Sequence, residues 1–187
     1  MQFQLKIQLK DINITPIWRT VLVPGHFSFV QLHEVIQAAF GWENIHDYCF
    51  FPEKSGKRID ICIPFDDEWE AEDKLDSEKI TLGEIFKKNG QKVPYVYDFE
   101  DSWVHIIEVE NILKEDIIRA TLIGGKGACP PEDCAGPQGY LDILEMLADP
   151  ENEEHEAIRE WLEPNEGEKY DIEAFDEEKA RKEVEEV

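Results

Sequence analysis

The sequence predicts an α+β domain with a mixed β-sheet, followed by C-terminal helices. Three observations support this class. The first ten residues alternate between apolar and polar side chains, which is typical of a half-buried strand. A fully capped amphipathic helix follows the second predicted strand. After Tyr140 the apolar period changes from two residues to 3.6. We therefore assign residues 1–165 to one domain and 166–187 to an acidic C-terminal segment.

The chain begins with a predicted hairpin and one well-specified helix. Phe3–Leu9 alternates as a strand, and Trp18–Val23 is a second strand that ends at a Pro-Gly pair. Ser28 and Gln31 have the spacing of a capping box, and Gly41 supplies a left-handed C-terminal stop. Between these signals the apolar residues recur on one face, at positions 32, 35, 36, 39 and 40. His33 falls on the polar side of the helix, which predicts an ordinary surface histidine.

The remaining elements follow from periodicity and turn residues. We expect an exposed loop over Asp66–Lys79 and a short capped helix over Thr81–Lys88. The predicted strands are Tyr48–Phe51, Arg58–Ile63, Tyr95–Phe99, Val104–Val109 and Ile117–Ile123. The predicted C-terminal helices are Tyr140–Leu147, Ala157–Leu162 and a fraying, charged helix within Phe175–Val187. This order of a hairpin, a helix and further strands gives a β-grasp-like core.

Composition limits the classes of function. The formal net charge is −24, from 19 basic and 43 acidic residues, which makes direct binding to a nucleic-acid backbone unfavourable. From Asp149 onward there are 17 acidic and 5 basic side chains, which favours a solvated acidic face over a docking surface for a basic partner. With neither an apolar run of membrane-spanning length nor a signal-peptide pattern, we expect a cytoplasmic protein. Its four cysteines are then expected to be reduced thiols or ligands.

The stretch Gly124–Tyr140 has the least ordinary composition, with five glycines, three prolines and two cysteines. Cys129 and Cys134 are separated by four residues, which is at the wide end of the spacing for two thiolates on one zinc ion. A structural zinc site needs two more ligands, which the fold would have to supply from His105 or His155. The alternative, which we favour from spacing alone, is a rigid turn with two packed thiols. Cys49 and Cys62 fall in predicted strands and are interpreted as buried thiols.

A second group of polar residues lies around Trp103. Asp98, Glu100, Asp101 and His105 could bind a divalent ion or perform acid–base chemistry if the fold brought them together. Acidic residues are also common at hairpin turns because they cap backbone N–H groups. The spacing alone favours this second interpretation.

Two strings in these stretches resemble a known family. The string Tyr97–His105 is similar to the signature Y-D-F-G-D-S-W-x-H of the plasmid ORF-three-like family, which was first named from a Ri-plasmid open reading frame. Its members are also described as TnpR-like passenger proteins of insertion elements. The string Cys129–Tyr140 resembles the second signature, C-P-P-E-D-C-G-G-P-x-G-Y. Glu100 and Ala135 each replace a family glycine, and His46 keeps one of two expected histidines.

The resemblance implies an α+β fold and an association with mobile elements, without an established reaction. Our leading hypothesis is a binding or interaction module, for a protein partner or small ligand, whose two signature loops form one surface. The residues of that surface are Asp98, Asp101, Trp103, His105, Glu132, Asp133 and Tyr140. The alternative is a metal-dependent hydrolase or nuclease-like enzyme that uses Asp98, Asp101 and His105, with zinc at Cys129 and Cys134. A third hypothesis is an acidic mimic of nucleic acid.

Overall fold

The computed structural model describes residues 1–64, 73–115, 117–163 and 169–187. Its main feature is an eight-stranded sheet with the order β10-β2-β1-β9-β8-β3-β6-β7, beside a separate β4-β5 hairpin. The only parallel pair described is β6 with β7, so the sheet is mixed. The strands are β1 Gln2–Leu9, β2 Trp18–Pro24, β3 Tyr48–Phe50, β4 Glu53–Lys54, β5 Lys57–Arg58, β6 Asp60–Cys62, β7 Lys74–Asp76, β8 Lys92–Tyr97, β9 Trp103–Leu113 and β10 Thr121–Lys126.

Five helices complete the described fold and confirm the α+β class with C-terminal helices. They are α1 Phe29–Phe40, α2 Leu82–Ile85, α3 Gly136–Ala148, α4 His155–Leu162 and α5 Glu177–Glu186. None of the described helices is long and apolar enough to cross a membrane. The β-grasp likeness stays a prediction, as does the boundary after residue 165, which lies outside the described residues. The loop predicted for Asp66–Lys79 lies partly outside them too, and its described end contains β7.

Helix α1 confirms its sequence signals. The N–H of Ser28 donates to Gln31 Oε1 at 3.0 Å, and the N–H of Gln31 donates back to Ser28 Oγ at 3.4 Å. Gly41 ends the helix with a left-handed φ of 89°. All five residues of the predicted apolar stripe are buried against the sheet. His33 is an exception to the prediction, because it is buried as well and lies only 3 % exposed.

The C-terminal helix α5 is packed on the domain, so the expectation of a fraying end is wrong. It lies against β10 and α1, and it buries Ala180 and Val184. Just before it, the Phe175 ring lies 3.8 Å from the guanidinium of Arg19. The sequence signal was weak because only two apolar residues of a highly charged helix face the core.

The cysteines in the sheet also differ from the prediction. Cys49 and Cys62 lie directly opposite each other on the antiparallel strands β3 and β6 and form a disulfide. Their Cα atoms are 4.6 Å apart, the separation of a non-hydrogen-bonded pair of facing strand residues. Burial of both side chains was predicted correctly, whereas the pairing depends on strand register, which their separation in sequence does not reveal.

Candidate metal centre

The two signature loops lie in contact. The turn between β8 and β9 contains Asp98 and Asp101, and the segment between β10 and α3, here called the Cys loop, contains Cys129–Ala135. A Cβ atom on Gly136, at the start of α3, would lie 2.3 Å from the Asp101 carbonyl oxygen. Gly136 also has a left-handed φ of 70°. Only glycine allows so close an approach of the two backbones.

Arg19 anchors the Cys loop from beneath. Its guanidinium is buried and donates from Nε to the Ala39 carbonyl at 2.8 Å, at the end of α1. It also donates from Nη1 to Lys126 O at 2.8 Å and from Nη2 to Gly127 O at 2.9 Å. One side chain therefore ties the last turn of α1 to the start of the Cys loop.

A third segment, residues 41–47 between α1 and β3, completes the site. The N–H of Asn44 donates to Gln37 Oε1 at 3.0 Å, and the N–H of Ile45 donates to the Tyr97 hydroxyl at 3.1 Å. These bonds fix the backbone immediately before His46. The imidazole of His46 is thereby held beside both signature loops.

Three carboxylates surround His46 Nε2. This nitrogen lies 3.5 Å from Asp98 Oδ2, 3.7 Å from Glu132 Oε2 and 3.2 Å from Asp133 Oδ1. Two protein ligands at about 2.1 Å from one metal ion lie roughly 3.0–3.4 Å apart at octahedral or tetrahedral angles. Donor atoms of His46, Asp98 and Asp133 all lie within 4.8 Å of one another. Glu132 lies outside that group of three, but its Oε2 also faces His46. We call His46, Asp98, Glu132 and Asp133 the metal centre.

Two of the carboxylates are oriented in the same way. Asp98 Oδ1 accepts from two backbone N–H groups of its own turn, at 2.9 and 3.2 Å. Glu132 Oε1 accepts from the Glu43 N–H at 2.7 Å and from the Tyr97 hydroxyl at 3.2 Å. In each case the second oxygen is left to face His46. Such fixed outer partners are typical of metal-ligating carboxylates.

The centre concentrates negative charge, because within the described ranges its three carboxylates form ion-pair contacts with His46 and with no lysine or arginine. His46 Nε2 and Glu132 Oε2 are buried atoms that lack a hydrogen-bond partner within the described ranges. Burial raises the pKa of the Glu132 carboxyl, whose side chain is 10 % exposed. A proton on His46 would supply one positive charge to three carboxylates. A divalent cation would supply two and would satisfy the unpaired donor atoms.

The backbone at the centre is also unusual. Asp98 and Asp133 have left-handed φ angles of 58° and 53°, and Asn44, two residues before His46, has 57°. Residues other than glycine adopt the left-handed region at a cost in free energy. Residues with this backbone conformation are concentrated at functional sites. The turn at Asp98 also ends β8 at Tyr97, so the strand predicted through Phe99 is two residues too long, and Phe99 is exposed.

The predicted site residues divide into two groups. Asp98, Glu132 and Asp133 belong to the metal centre, and Asp101 lies beside it in the same turn. The other three residues, Trp103, His105 and Tyr140, are fully buried beneath the loops. His105 shares a hydrogen bond of 3.0 Å between Nδ1 and the Trp103 carbonyl, and burial lowers its pKa to about 3. The described residues that could jointly hold a metal ion include Asp98 but neither Asp101 nor His105.

The two remaining cysteines belong to the Cys loop itself. Cys129 is half-buried, and Cys134 is buried with its thiol 3.9 Å from the Gly136 carbonyl. Burial raises the pKa of the Cys129 thiol and raises that of Cys134 to about 12. Neither thiol belongs to the metal-capable group found among the described residues. Zinc binding by this pair stays a prediction.

Sequence reasoning missed two histidines. His46 is 52 residues from Asp98 and 86 from Glu132, so no local spacing joins them. The sequence signal for His46 was its place in the string His46-Asp47-Tyr48, which resembles part of the family pattern. His33, interpreted as a surface residue, stacks on Tyr48 with ring centroids 3.6 Å apart. Its position one residue after Leu32 placed it at the edge of the apolar stripe, where the sheet covers it.

Comparison with known proteins agrees with the resemblance of the two loops. The family model described as "Plasmid pRiA4b ORF-3-like protein" matches residues 1–179. The uncharacterized protein y4hQ of Sinorhizobium fredii is 36 % identical over 160 residues, which cover 84 % of this chain and 79 % of that one. The crystal structure of MM3350 from Methanosarcina mazei Go1, a protein of unknown function, has a TM-score of 0.80 and 32 % identity, covering 95 % of this chain and 96 % of that one. The chain therefore belongs to the plasmid pRiA4b ORF-3-like family.

Proposed function

We propose that this protein is a binding module whose loop surface is organised by one divalent metal ion. The ligands are His46, Asp98, Glu132 and Asp133. The observation that carries the proposal is the unpaired His46 Nε2, which faces three carboxylate oxygens at 3.2–3.7 Å. Carboxylate oxygens held from behind by N–H groups are prepared for a cation and cost little reorganisation when it binds.

The donor set indicates the class of metal. One imidazole nitrogen favours a transition-metal ion such as Zn²⁺, Mn²⁺ or Fe²⁺, and three carboxylates favour hard ions. We therefore propose Mn²⁺, Fe²⁺ or Zn²⁺ bound through nitrogen and oxygen. This assignment differs from a zinc site on the Cys129 and Cys134 thiols, which would be bound through sulfur.

The ligand of the module would bind where the metal meets solvent. The Asp133 side chain is 71 % exposed, so that side of the ion stays open. A cavity of about 440 Å³ adjoins it, lined in part by Trp42, Trp161, Glu132 and Asp133. A small ligand, or an oxygen-bearing side chain of a protein partner, could fill the open position while it contacts the two tryptophans.

Metal-dependent hydrolysis is a second candidate, favoured by the same exposed side of the centre. A water molecule bound there would be acidified by the ion and could act as a nucleophile. We place this chemistry on the four residues of the metal centre, because His105 is buried with a lowered pKa. A nuclease is the least favoured hydrolase, because the net charge of −24 repels its substrate.

The wider expectations remain proposals. We expect a cytoplasmic protein that is associated with mobile elements and does not bind nucleic acid directly. Mimicry of nucleic acid is the weakest alternative, since it needs only the overall charge and makes no use of the oriented loops.

The test is metal binding by protein purified without chelator and by three variants. We expect one equivalent of transition-metal ion in the wild type, by elemental analysis and titration calorimetry. Asp98→Asn/Asp133→Asn should weaken binding by about 100-fold or more, since both changes remove ligating charge but keep side-chain shape. Glu151→Gln/Glu153→Gln, on an exposed turn, is the charge-matched control and should bind normally.

The third variant, Cys129→Ser/Cys134→Ser, separates the two metal sites. Loss of metal only in this variant would contradict the metal centre and support thiolate zinc. No metal in any form at micromolar concentration would contradict both. Hydrolysis of ester or phosphoester probes that is lost in Asp98→Asn/Asp133→Asn would select the enzyme over the binding module.

A further inference from the structure

The sheet has a second feature that the metal centre does not use, on the face opposite α1. Along β1 the buried apolar residues are Phe3, Leu5, Ile7 and Leu9, so the residues between them point to the other face. On β8 and β9 the same alternation turns Lys92, Pro94 and Ile106 to that face. The strands β1, β9, β8 and β3 are neighbours there. A groove crosses them, and strand and hairpin residues line it.

The groove has an apolar floor and a basic rim. Its cavity is about 750 Å³, a size typical of sites for small organic ligands. The floor consists of Phe51, Pro94, Val96 and Ile106. Its charged lining consists of four cationic side chains and two carboxylates, so that cations are in excess, and these residues are Lys6, Lys10, Arg58, Lys92, Glu53 and Glu108.

Two of these cations form no ion pair with a described residue, although Glu108 stands directly opposite Lys6 on the neighbouring strand β9. Lys92 pairs with Glu108 at 3.1 Å, and Arg58 pairs with Asp60 at 3.3 Å. Within the described part of the chain, Lys6 and Lys10 form no ion pair, and Lys6 lies 5.0 Å over the Trp18 ring. In a chain of net charge −24, this groove therefore combines apolar surface with local positive charge.

We infer that the groove binds a small amphipathic organic anion, with its apolar body on the floor and its anionic group at Lys6 and Lys10. Charge complementarity selects an anion over a neutral or cationic ligand. The net negative charge of the rest of the chain favours a small anion, because the repulsion grows with the number of negative charges on the ligand. A nucleic acid or a long acidic peptide would carry many charges past the acidic surface. A compact aromatic or aliphatic carboxylate carries only one negative charge.

The test uses three naphthalene probes that share one apolar body. They are naphthalene-2-carboxylate, its neutral carboxamide and the cationic 2-naphthylmethylammonium. Titrations are followed by amide chemical shifts in two-dimensional NMR, which locate the site and report the affinity. We expect the carboxylate to shift signals of β1, β8 and β9 and to bind about tenfold more tightly than the carboxamide, with the ammonium weakest.

Variants separate the groove from non-specific attraction. Lys6→Gln/Lys10→Gln should weaken carboxylate binding by about tenfold and leave carboxamide binding unchanged. The exposed pair Lys114→Gln/Lys182→Gln removes the same charge elsewhere and should have no effect. Unchanged spectra outside the groove would verify that each variant is folded. None of these residues touches the metal centre, so this result is independent of the proposed function.

Three outcomes would overturn the inference. Equal affinity for the three probes would reduce the groove to an apolar surface. Absence of shifts at millimolar carboxylate, or shifts located elsewhere, would remove the site. Shifts at the groove that follow protein concentration in place of probe concentration would assign this face to a second copy of the chain.

Discussion

Two neighbouring regions each place a histidine among polar side chains, but they differ in whether its ring nitrogens have hydrogen-bond partners. In the buried layer around His33, Nδ1 shares a hydrogen bond with the Tyr95 hydroxyl at 2.8 Å. Its Nε2 shares a second one with Asn44 Oδ1 at 2.6 Å, and the ring stacks on Tyr48. In the metal centre, His46 Nε2 is buried without a hydrogen bond to any described residue and faces three carboxylates.

The difference indicates how to separate architecture from a ligand site. Both nitrogens of His33 are satisfied within the protein, so its network fixes one arrangement of α1, β8 and the 41–47 segment. In the metal centre Asp98 and Glu132 are likewise held by hydrogen bonds to one oxygen, yet His46 Nε2 and Glu132 Oε2 lack a hydrogen-bond partner among the described residues. Buried polar atoms without partners are costly, and a cation bound between His46 Nε2 and Glu132 Oε2 would remove that cost, which is the basis of the proposal.

The largest expected effect comes from making the same substitution in both regions. His33→Ala should lower the free energy of unfolding by about 3 kcal/mol, because it removes a buried ring and leaves the Tyr95 and Asn44 groups unpaired. His46→Ala should change it by less than about 0.5 kcal/mol in metal-free protein at pH 8. Urea unfolding with chelator present measures both values.

The stabilities of these proteins can also be compared with metal bound. With saturating Mn²⁺ or Zn²⁺, wild-type protein should gain stability by linkage, and His46→Ala should gain much less. Equal losses for the two alanine variants in chelator would contradict the distinction between a structural and a ligating histidine.

The fold was predictable where its signals were local. The capping box at Ser28, the stop at Gly41 and the alternation in β1 depend on residues a few positions apart, and all three are confirmed. The disulfide partners and the docking of α5 depend on strand register and packing between distant segments. Such contacts leave no period in the sequence, which explains why both predictions were wrong.

The metal centre was predictable only in part, for the same reason. Three of its four residues lie in the two strings that carry the family resemblance, and the sequence analysis placed Asp98, Glu132 and Asp133 on one binding surface without assigning them to one metal ion. His46 comes from a third segment that reaches the site because Tyr97 and Gln37 hold its backbone. His105 was grouped with Asp98 through proximity in sequence. However, the intervening left-handed turn and the alternation of β9 send its side chain into the core.

A smaller expected effect is the pH dependence of stability that the buried histidines cause. Burial lowers the pKa of His33 to about 4 and of His105 to about 3, so the unfolded state binds more protons than the folded state below pH 6.5. Their contribution to stability is complete above about pH 6.5 and is lost as the pH falls toward 4. Each should contribute a slope of about 1.4 kcal/mol per pH unit in that window.

The variant His105→Phe isolates one of these slopes. Its ring is aromatic like imidazole, although slightly larger, and cannot be protonated, so the pH dependence of the free energy of unfolding should fall by about 1.4 kcal/mol per pH unit between pH 4 and 6. The raised pKa of Glu132 acts in the opposite direction in both proteins and cancels in the difference. A slope unchanged by His105→Phe would mean that His105 titrates normally in the folded state.

The smallest effect tests whether the metal centre is kept at a cost in stability. Asp133→Gly relieves the backbone strain of a left-handed φ of 53° and removes one of the three carboxylates that face one another. Metal-free protein should therefore become more stable by about 0.5 kcal/mol. The same change removes a ligand, so saturating metal should reverse the order and leave the wild type more stable. Asp11→Gly is the matched control, because Asp11 is exposed with a φ of 65° and lies outside the centre. It should show the backbone gain with and without metal, and a crossover shared by both variants would show that the metal acts elsewhere.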